Sequence, residues 1–319
     1  MKFKRNPIVE RLYLKTKDVT DWLIAKTLGA LLYLLKKLPA QRSTELAEKL
    51  FKSLALWLPR TSLARRNMTM AFPEKSPKEI NDLIGEMWGN FGRAIAEYVF
   101  LDQLFDFDPE NPGNGLVEFS GINNFLEIRE NDGPVIMFTG HTGNWELLPI
   151  GAATFDLNVT ALFRPPNNKY LAKKVLQARR TAMGHLVPSR AGAAWALADI
   201  MEKGGTVGLL VDQHFTRGPM IEFFGQKARA NPLLPKLARQ FDCPIYPARC
   251  IRLPGGRFRV ELHDAITLPK NDKGEVDIAA STQMINTIIE GWVREYPAQW
   301  LWLHNRWRGG KIKDEDRRK

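Results

Sequence analysis

A histidine, two glycines and a carboxylate fall within one short stretch near the middle of the chain, Gly140-His141-Thr142-Gly143-Asn144-Trp145-Glu146. An imidazole is the side chain best matched to taking a proton from a hydroxyl near neutral pH. A carboxylate beside it can hold its tautomer and stabilise its charged form. The spacing therefore points to a dyad, with His141 as general base and Glu146 as its partner. Gly140 and Gly143 allow a sharp turn and the close approach of a substrate. A lone histidine at a strand end is more commonly a hydrogen-bonded structural residue, so the spacing does not decide the matter alone.

What the chain lacks narrows the chemistry. There is no Gly-x-Ser-x-Gly elbow, no Walker loop and no Gly-x-Gly-x-x-Gly. The histidines at 141, 185, 214, 263 and 304 have no metal-ligand spacing, so no metal site is expected. With no protein nucleophile next to His141, the acceptor substrate itself must attack. The reaction class that fits is direct acyl transfer from a thioester to a hydroxyl, without an acyl-enzyme. Arg164, Arg179 and Arg190 are candidates to bind substrate phosphates, and backbone amides between Gly140 and Asn144 are candidates for the oxyanion.

Elements that position these groups follow from the apolar runs. Val135–Phe138, between Gly133-Pro134 and Gly140, reads as a buried strand, and Leu147–Ala153 as the helix after it. His141 and Glu146 then sit at a strand-to-helix turn, where a parallel α/β sheet opens its site. Thr206–Val211 is a second apolar strand, which stops at Asp212-Gln213-His214, so Asp212 also stands at a carboxyl-end position. Asn158–Phe163 is a third, ending at Arg164-Pro165-Pro166. Ser76-Pro77-Lys78-Glu79 has the form of a capping box opening a helix that runs to about residue 101. Cys243–Arg252 and Arg257–His263 read as strands joined by a turn at Pro254-Gly255-Gly256, and Ala279–Glu295 as an amphipathic helix. The fold class is α/β, a mixed, mainly parallel sheet flanked by helices.

The 319 residues carry a net charge of +11, with 44% hydrophobic residues. The charge is unevenly spread: +10 over residues 1–70, −11 over 71–160, +12 over 161–260 and zero beyond. A basic N-terminus beside apolar helices suits an anionic membrane surface, and the basic block after His141 suits an anionic substrate or an acidic carrier protein. No nucleic-acid-binding signature accompanies the charge. The apolar stretch Trp22–Leu35 is short for a span of about 20 residues, so an interfacial helix or short tilted anchor is expected, against a buried core helix. Cys243 and Cys250 read as reduced thiols of a cytosolic compartment. Three regions result: membrane-associating helices over 1–60, a catalytic domain over 61–310 and a charged tail over 311–319.

Ordered motifs carry a resemblance. Gly140-His141-x-x-Asn144-Trp145-Glu146 resembles the His-x4-acid motif of glycerolipid-type acyltransferases, in the form seen in the lipid A late (lauroyl/myristoyl) acyltransferases. Arg65-x-Asn67 through Phe72-Pro73, Phe163-Arg164-Pro165, Asp212-Gln213, Phe223-Phe224-Gly225 and Pro297 to Trp307 resemble further segments of that family, in order. Ala230-Asn231-Pro232-Leu233-Leu234-Pro235 departs from the family's Thr-x-x-Gly stretch. The resemblance implies His141 and Glu146 as the catalytic pair. It places Arg164, Arg179 (or Arg180, with Arg179 favoured), Asp212 and Asn144 on the substrate, where Arg190 is a candidate on its charge alone. It further implies acyl carrier protein as donor, no cofactor beyond its thioester, and a lipid A precursor as acceptor at the cytoplasmic face of the inner membrane. The alternatives are another glyco- or phospholipid acceptor, or a non-catalytic basic membrane-binding protein.

Overall fold

The computed structural model describes residues 7–307 except 109, 112 and 113. The expected charged tail and the basic residues Lys2, Lys4 and Arg5 lie outside the described residues. Four helices come first: α1 (Pro7–Leu35), α2 (Ala40–Leu54), α3 (Thr61–Ala71) and α4 (Pro77–Glu97). The capping box at the start of α4 forms as the sequence predicts. Ser76 Oγ accepts from the Glu79 amide at 3.3 Å, and Glu79 Oε2 accepts from the Ser76 amide at 2.8 Å. A short α5 (Leu101–Leu104) follows α4.

Strands and helices then alternate: β1 (Val117–Ser120), α6 (Ile122–Glu130), β2 (Val135–Thr139), α7 (Leu147–Thr154), β3 (Val159–Phe163), α8 (Lys169–Ala182), β4 (His185–Pro188), α9 (Ala193–Glu202) and β5 (Thr206–Leu210). The hairpin β6 (Met220–Phe223) and β7 (Gln226–Arg229), α10 (Leu233–Phe241), β8 (Ile245–Arg252), β9 (Phe258–Leu262) and α11 (Ile278–Glu295) complete the order. Among the described residues the main sheet has seven strands, in the order β1-β9-β8-β2-β5-β3-β4. All neighbours are parallel except β8 and β9, the hairpin foreseen at Pro254-Gly255-Gly256. The fold is the mixed, mainly parallel α/β class that the sequence implies.

Register fixes the site. Thr139, the last residue of β2, is level with Leu210, the last of β5. His141 and Asp212, each two residues further on, therefore emerge side by side at the carboxyl edge. Both faces of β2 are covered. Ile136 and Phe138 enter the core that α4, α10 and α11 share, whereas Val135 and Met137 face the side of α7. Such two-sided burial explains why β2 and β5 are continuous apolar runs rather than alternating ones.

The N-terminal helices keep apolar surface in the open. Trp22, Leu23, Ile24, Tyr33 and Leu34 of α1 are exposed, as are Leu46, Leu50 and Leu54 on one stripe of α2 and Trp57 at 87% exposure just beyond it. This exposure separates α1 from a buried core helix. No helix among the described residues is long and apolar enough to cross a membrane. α1 lies against the start of α8: Asn168 Nδ2 donates to the Asp21 carbonyl at 2.7 Å, and Lys169 pairs with Asp18 at 2.6 Å.

Candidate active site

The loop after β2 is held from two sides. Gly143 has φ +56, and a Cβ there would lie 2.0 Å from the Cys250 carbonyl oxygen, so only glycine fits. Its amide donates to the Gln299 carbonyl at 2.9 Å, and the Leu301 amide donates to the His141 carbonyl at 3.0 Å. The C-terminal segment 297–307 thus clamps the loop from outside. From beneath, buried Asn144 donates through Nδ2 to Glu97 Oε2 at 2.8 Å and accepts from the Glu146 amide at 3.2 Å. Glu97 is paired in turn with the buried guanidinium of Arg252, whose Nη2 lies 2.6 Å from Oε2.

His141 makes a different pair from the one its spacing predicts. Nδ1 lies 2.7 Å from Asp212 Oδ1, and the His141 amide donates to Asp212 Oδ2 at 2.8 Å. Trp300 Nε1 donates to the same Oδ2 at 2.7 Å. Burial works against the charge of Asp212, but His141 and these hydrogen bonds outweigh it and hold the carboxyl well below the usual carboxylate range. An ionised carboxylate only accepts, so Nδ1 of His141 carries the hydrogen, which in the neutral ring leaves the lone pair on Nε2. Fully buried Arg306 stands behind, within reach of the field of Asp212. It donates to the Arg229 carbonyl at 2.6 Å and to Asn286 Oδ1 at 2.9 Å.

Glu146 faces elsewhere. Tyr98 donates to its Oε1 at 2.5 Å, Trp145 Nε1 to the same oxygen at 3.0 Å, and Arg179 Nε to Oε2 at 3.0 Å, with a second contact from the Arg179 guanidinium to Oε1. Burial, reinforced by the charge of Glu146, pushes the Tyr98 hydroxyl above its ordinary value and keeps it a donor. The physical reason for the changed pairing is local. Glu146 is the residue just before α7, and there it turns toward α8 and the guanidinium that α8 supplies, while Asp212 reaches the imidazole from the neighbouring strand.

A cavity of about 520 Å³ opens beside these groups. That size is ordinary for a small-molecule site. Met137, Gly208 and Ala161 form one cross-strand row of its floor, and Leu148, Ala152 and Met183 face them from α7 and the end of α8. His141, Glu146, Gln213 and His304 line its polar end, together with Arg60, Arg164 and Arg179. His304 is pushed down to about 4, mainly by burial, so it is neutral near pH 7.

Of the residues expected at the site, the fold brings together His141, Glu146, Arg164 and Arg179. Asp212 stands behind His141 rather than in the cavity wall. Asn144 spends its side chain inside the loop, on Glu97 and the Glu146 amide. Arg190 lies outside the cavity wall, in the exposed turn before α9. The Arg180 side chain lies outside what is described. Sequence reasoning missed Gln213, His304, Tyr98 and the pair Glu97–Arg252 as site residues. Gln213 and His304 fall inside quoted motifs, and Glu97 is a lone acid near the end of an otherwise apolar helix face.

A histidine–carboxylate pair at the carboxyl edge of a mainly parallel sheet, opening on a largely apolar cavity with cations at one end, defines an α/β protein with its candidate site where such sheets open. The model of the bacterial lipid A biosynthesis acyltransferase family matches residues 7–309, and the chain belongs to that family. It is 23% identical over 257 residues to a lipid A biosynthesis palmitoleoyltransferase of Escherichia coli (strain K12), covering 78% of this chain and 79% of that one. It is also 23% identical over 248 residues to a phosphatidylinositol mannoside acyltransferase of Mycolicibacterium smegmatis, covering 76% and 78%. The activity is accordingly acyl transfer in the lipid A biosynthesis class.

Proposed function

We propose that this protein moves a fatty acyl chain of the lauroyl or myristoyl type from the thioester of acyl carrier protein to a hydroxyl of a lipid A precursor. The observation that carries the reading is His141 in the wall of a largely apolar cavity, its Nδ1 committed to Asp212 and its Nε2 on the other side of the ring, beside the Gln213 amide. The acceptor hydroxyl gives its proton to Nε2 as its oxygen bonds to the thioester carbonyl carbon. The C–S bond then breaks, and the departing thiolate takes the proton back from the imidazolium. Ester and free thiol are the products, and no residue of the chain is acylated. The acyl chain lies along Met137, Gly208 and Ala161, and Arg164 and Arg60 meet anionic groups of either substrate at the mouth. Glu146 orients Arg179 beside the same space. Exposed apolar residues of α1 and α2 bind the cytoplasmic face of the inner membrane, which brings a lipid acceptor to the loop that α1 touches.

Acyl transfer from carrier-protein donors of several chain lengths to a lipid A precursor, read by mass, tests this reading. One added acyl chain with wild type and none with His141→Ala supports it. The similarity to the phosphatidylinositol mannoside acyltransferase favours one other acceptor class, a glycosylated phosphoinositide. Transfer to that lipid alone would replace the acceptor and keep the chemistry. No transfer to either would sink the proposal.

A further inference from the structure

We propose that Gln213 is a positioning residue that keeps Nε2 of His141 unprotonated by facing it with a hydrogen-bond donor, and that His304 holds the Gln213 amide in that orientation. The inference rests on the acyl-transfer reading above, since only a base needs that lone pair. Gln213 Nε2 stands 3.1 Å from Nε2 of His141 and 3.2 Å from Nε2 of His304. A primary amide nitrogen has two hydrogens, so it can donate to both rings at once. The opposite orientation of the amide would place a carbonyl oxygen there and require a proton on Nε2 of both rings. Because Asp212 already holds a proton on Nδ1, His141 would then be a cation. The donor orientation needs no cation, since each ring then accepts at Nε2.

Asp212 and Gln213 are consecutive, and each specifies one side of the ring. The segment just after β5 therefore sets the whole protonation pattern of the base. The titratable and charged groups that face this arrangement are Asp212 on Nδ1, His304 across the amide, Arg60 and Arg164 in the cavity wall, and the Glu146–Arg179 pair further along it. Arg306 adds a positive charge behind Asp212. The arriving hydroxyl takes over the lone pair, and the amide keeps His304 as its other partner.

Full-length protein in detergent, labelled with ¹⁵N-histidine, provides the test. The His141 signals are assigned by their loss in His141→Gln, and kcat is followed against pH in parallel. Wild type should give a neutral His141 protonated on Nδ1 at pH 7. Gln213→Glu replaces the donor with a charged acceptor, so it should hold His141 as the cation and move the rise of kcat upward by about one pH unit or more. Gln213→Leu should lower kcat about tenfold, with the donor KM within about twofold. Signals and pH profiles in both variants that coincide with wild type would overturn the proposal. So would a wild-type His141 protonated on Nε2. A wild type that acylates no acceptor defeats the functional reading instead, and the nitrogen spectra still report on Gln213.

Discussion

Asp212 grips His141 at two points, with Oδ1 on the ring nitrogen at 2.7 Å and Oδ2 on the backbone amide at 2.8 Å. Both groups that reach Oδ2, the His141 amide and the Trp300 indole, are donors. Asp212→Asn cannot satisfy this geometry. Its NH2 is repelled from the Oδ2 position by two donors and settles against Nδ1, which drives the imidazole to the tautomer with hydrogen on Nε2. Acyl transfer should fall by roughly 10³- to 10⁴-fold, as expected when a base is locked in its wrong tautomer. Steady-state kinetics beside a thermal melt checks this, and a loss below tenfold in folded protein would contradict it.

Glu146 and Arg179 make the complementary case. They form a buried pair, and removing one partner leaves the other charge unsatisfied at a cost of about 3–5 kcal/mol. Arg179→Met is expected to lower the urea midpoint strongly, and Glu146→Gln with Arg179→Met to recover much of the loss. Because Glu146 has no bond to the ring, Glu146→Gln should leave the pH midpoint of kcat in place while lowering activity. A moved midpoint would show that Glu146 and not Asp212 governs the imidazole.

The contrast between the two carboxylates marks how far the sequence could be read. Strands β2 and β5 were legible because parallel strands buried on both faces must be continuous apolar runs. Their adjacency was not, because register is a non-local property, and it is register that sets Asp212 beside His141. Glu146 lies near in sequence, and nearness favoured it over Asp212 as the partner of the ring. β4 escaped notice because it is four residues long and contains His185 and Pro188. The β6–β7 hairpin escaped because Glu222, Gln226, Lys227 and Arg229 make it polar, while Phe224 and Gly225, both with positive φ, form its tight turn. The capping box and the β8–β9 turn were legible since both are set by local residues alone.

His304 ties stability to pH. Its folded value near 4 lies below the ordinary 6.5, with burial as the main cause. Between those values the unfolded chain binds the proton more readily than the folded one. The stabilisation is therefore fully present above about pH 6.5 and is lost as the pH falls toward 4, by up to roughly 3 kcal/mol. Urea midpoints at pH 7 and pH 5 should differ more for wild type than for His304→Gln. Equal differences would remove His304 from the account.

The floor of the cavity sets a limit on what can lie in it. Gly208 sits level with Met137 on one side and Ala161 on the other, and a Cβ at 208 would come 3.1 Å from Val159 Cγ1. Gly208 and Ala161 are level with Met137, four residues before His141, so enlarging them shortens the apolar space without altering the base. Ala161→Leu adds three methylene-sized groups directly beneath the proposed path of the acyl chain. Its preference should move to donors shorter by two or more carbons, at about tenfold or more in kcat/KM against the wild-type donor, since each methylene without a place forfeits about 0.8 kcal/mol. Competition between carrier-protein donors of graded length reads the preference directly. An unchanged ranking, in a variant that folds and retains His141-dependent transfer, would mean that the chain runs elsewhere than along the row Met137–Gly208–Ala161.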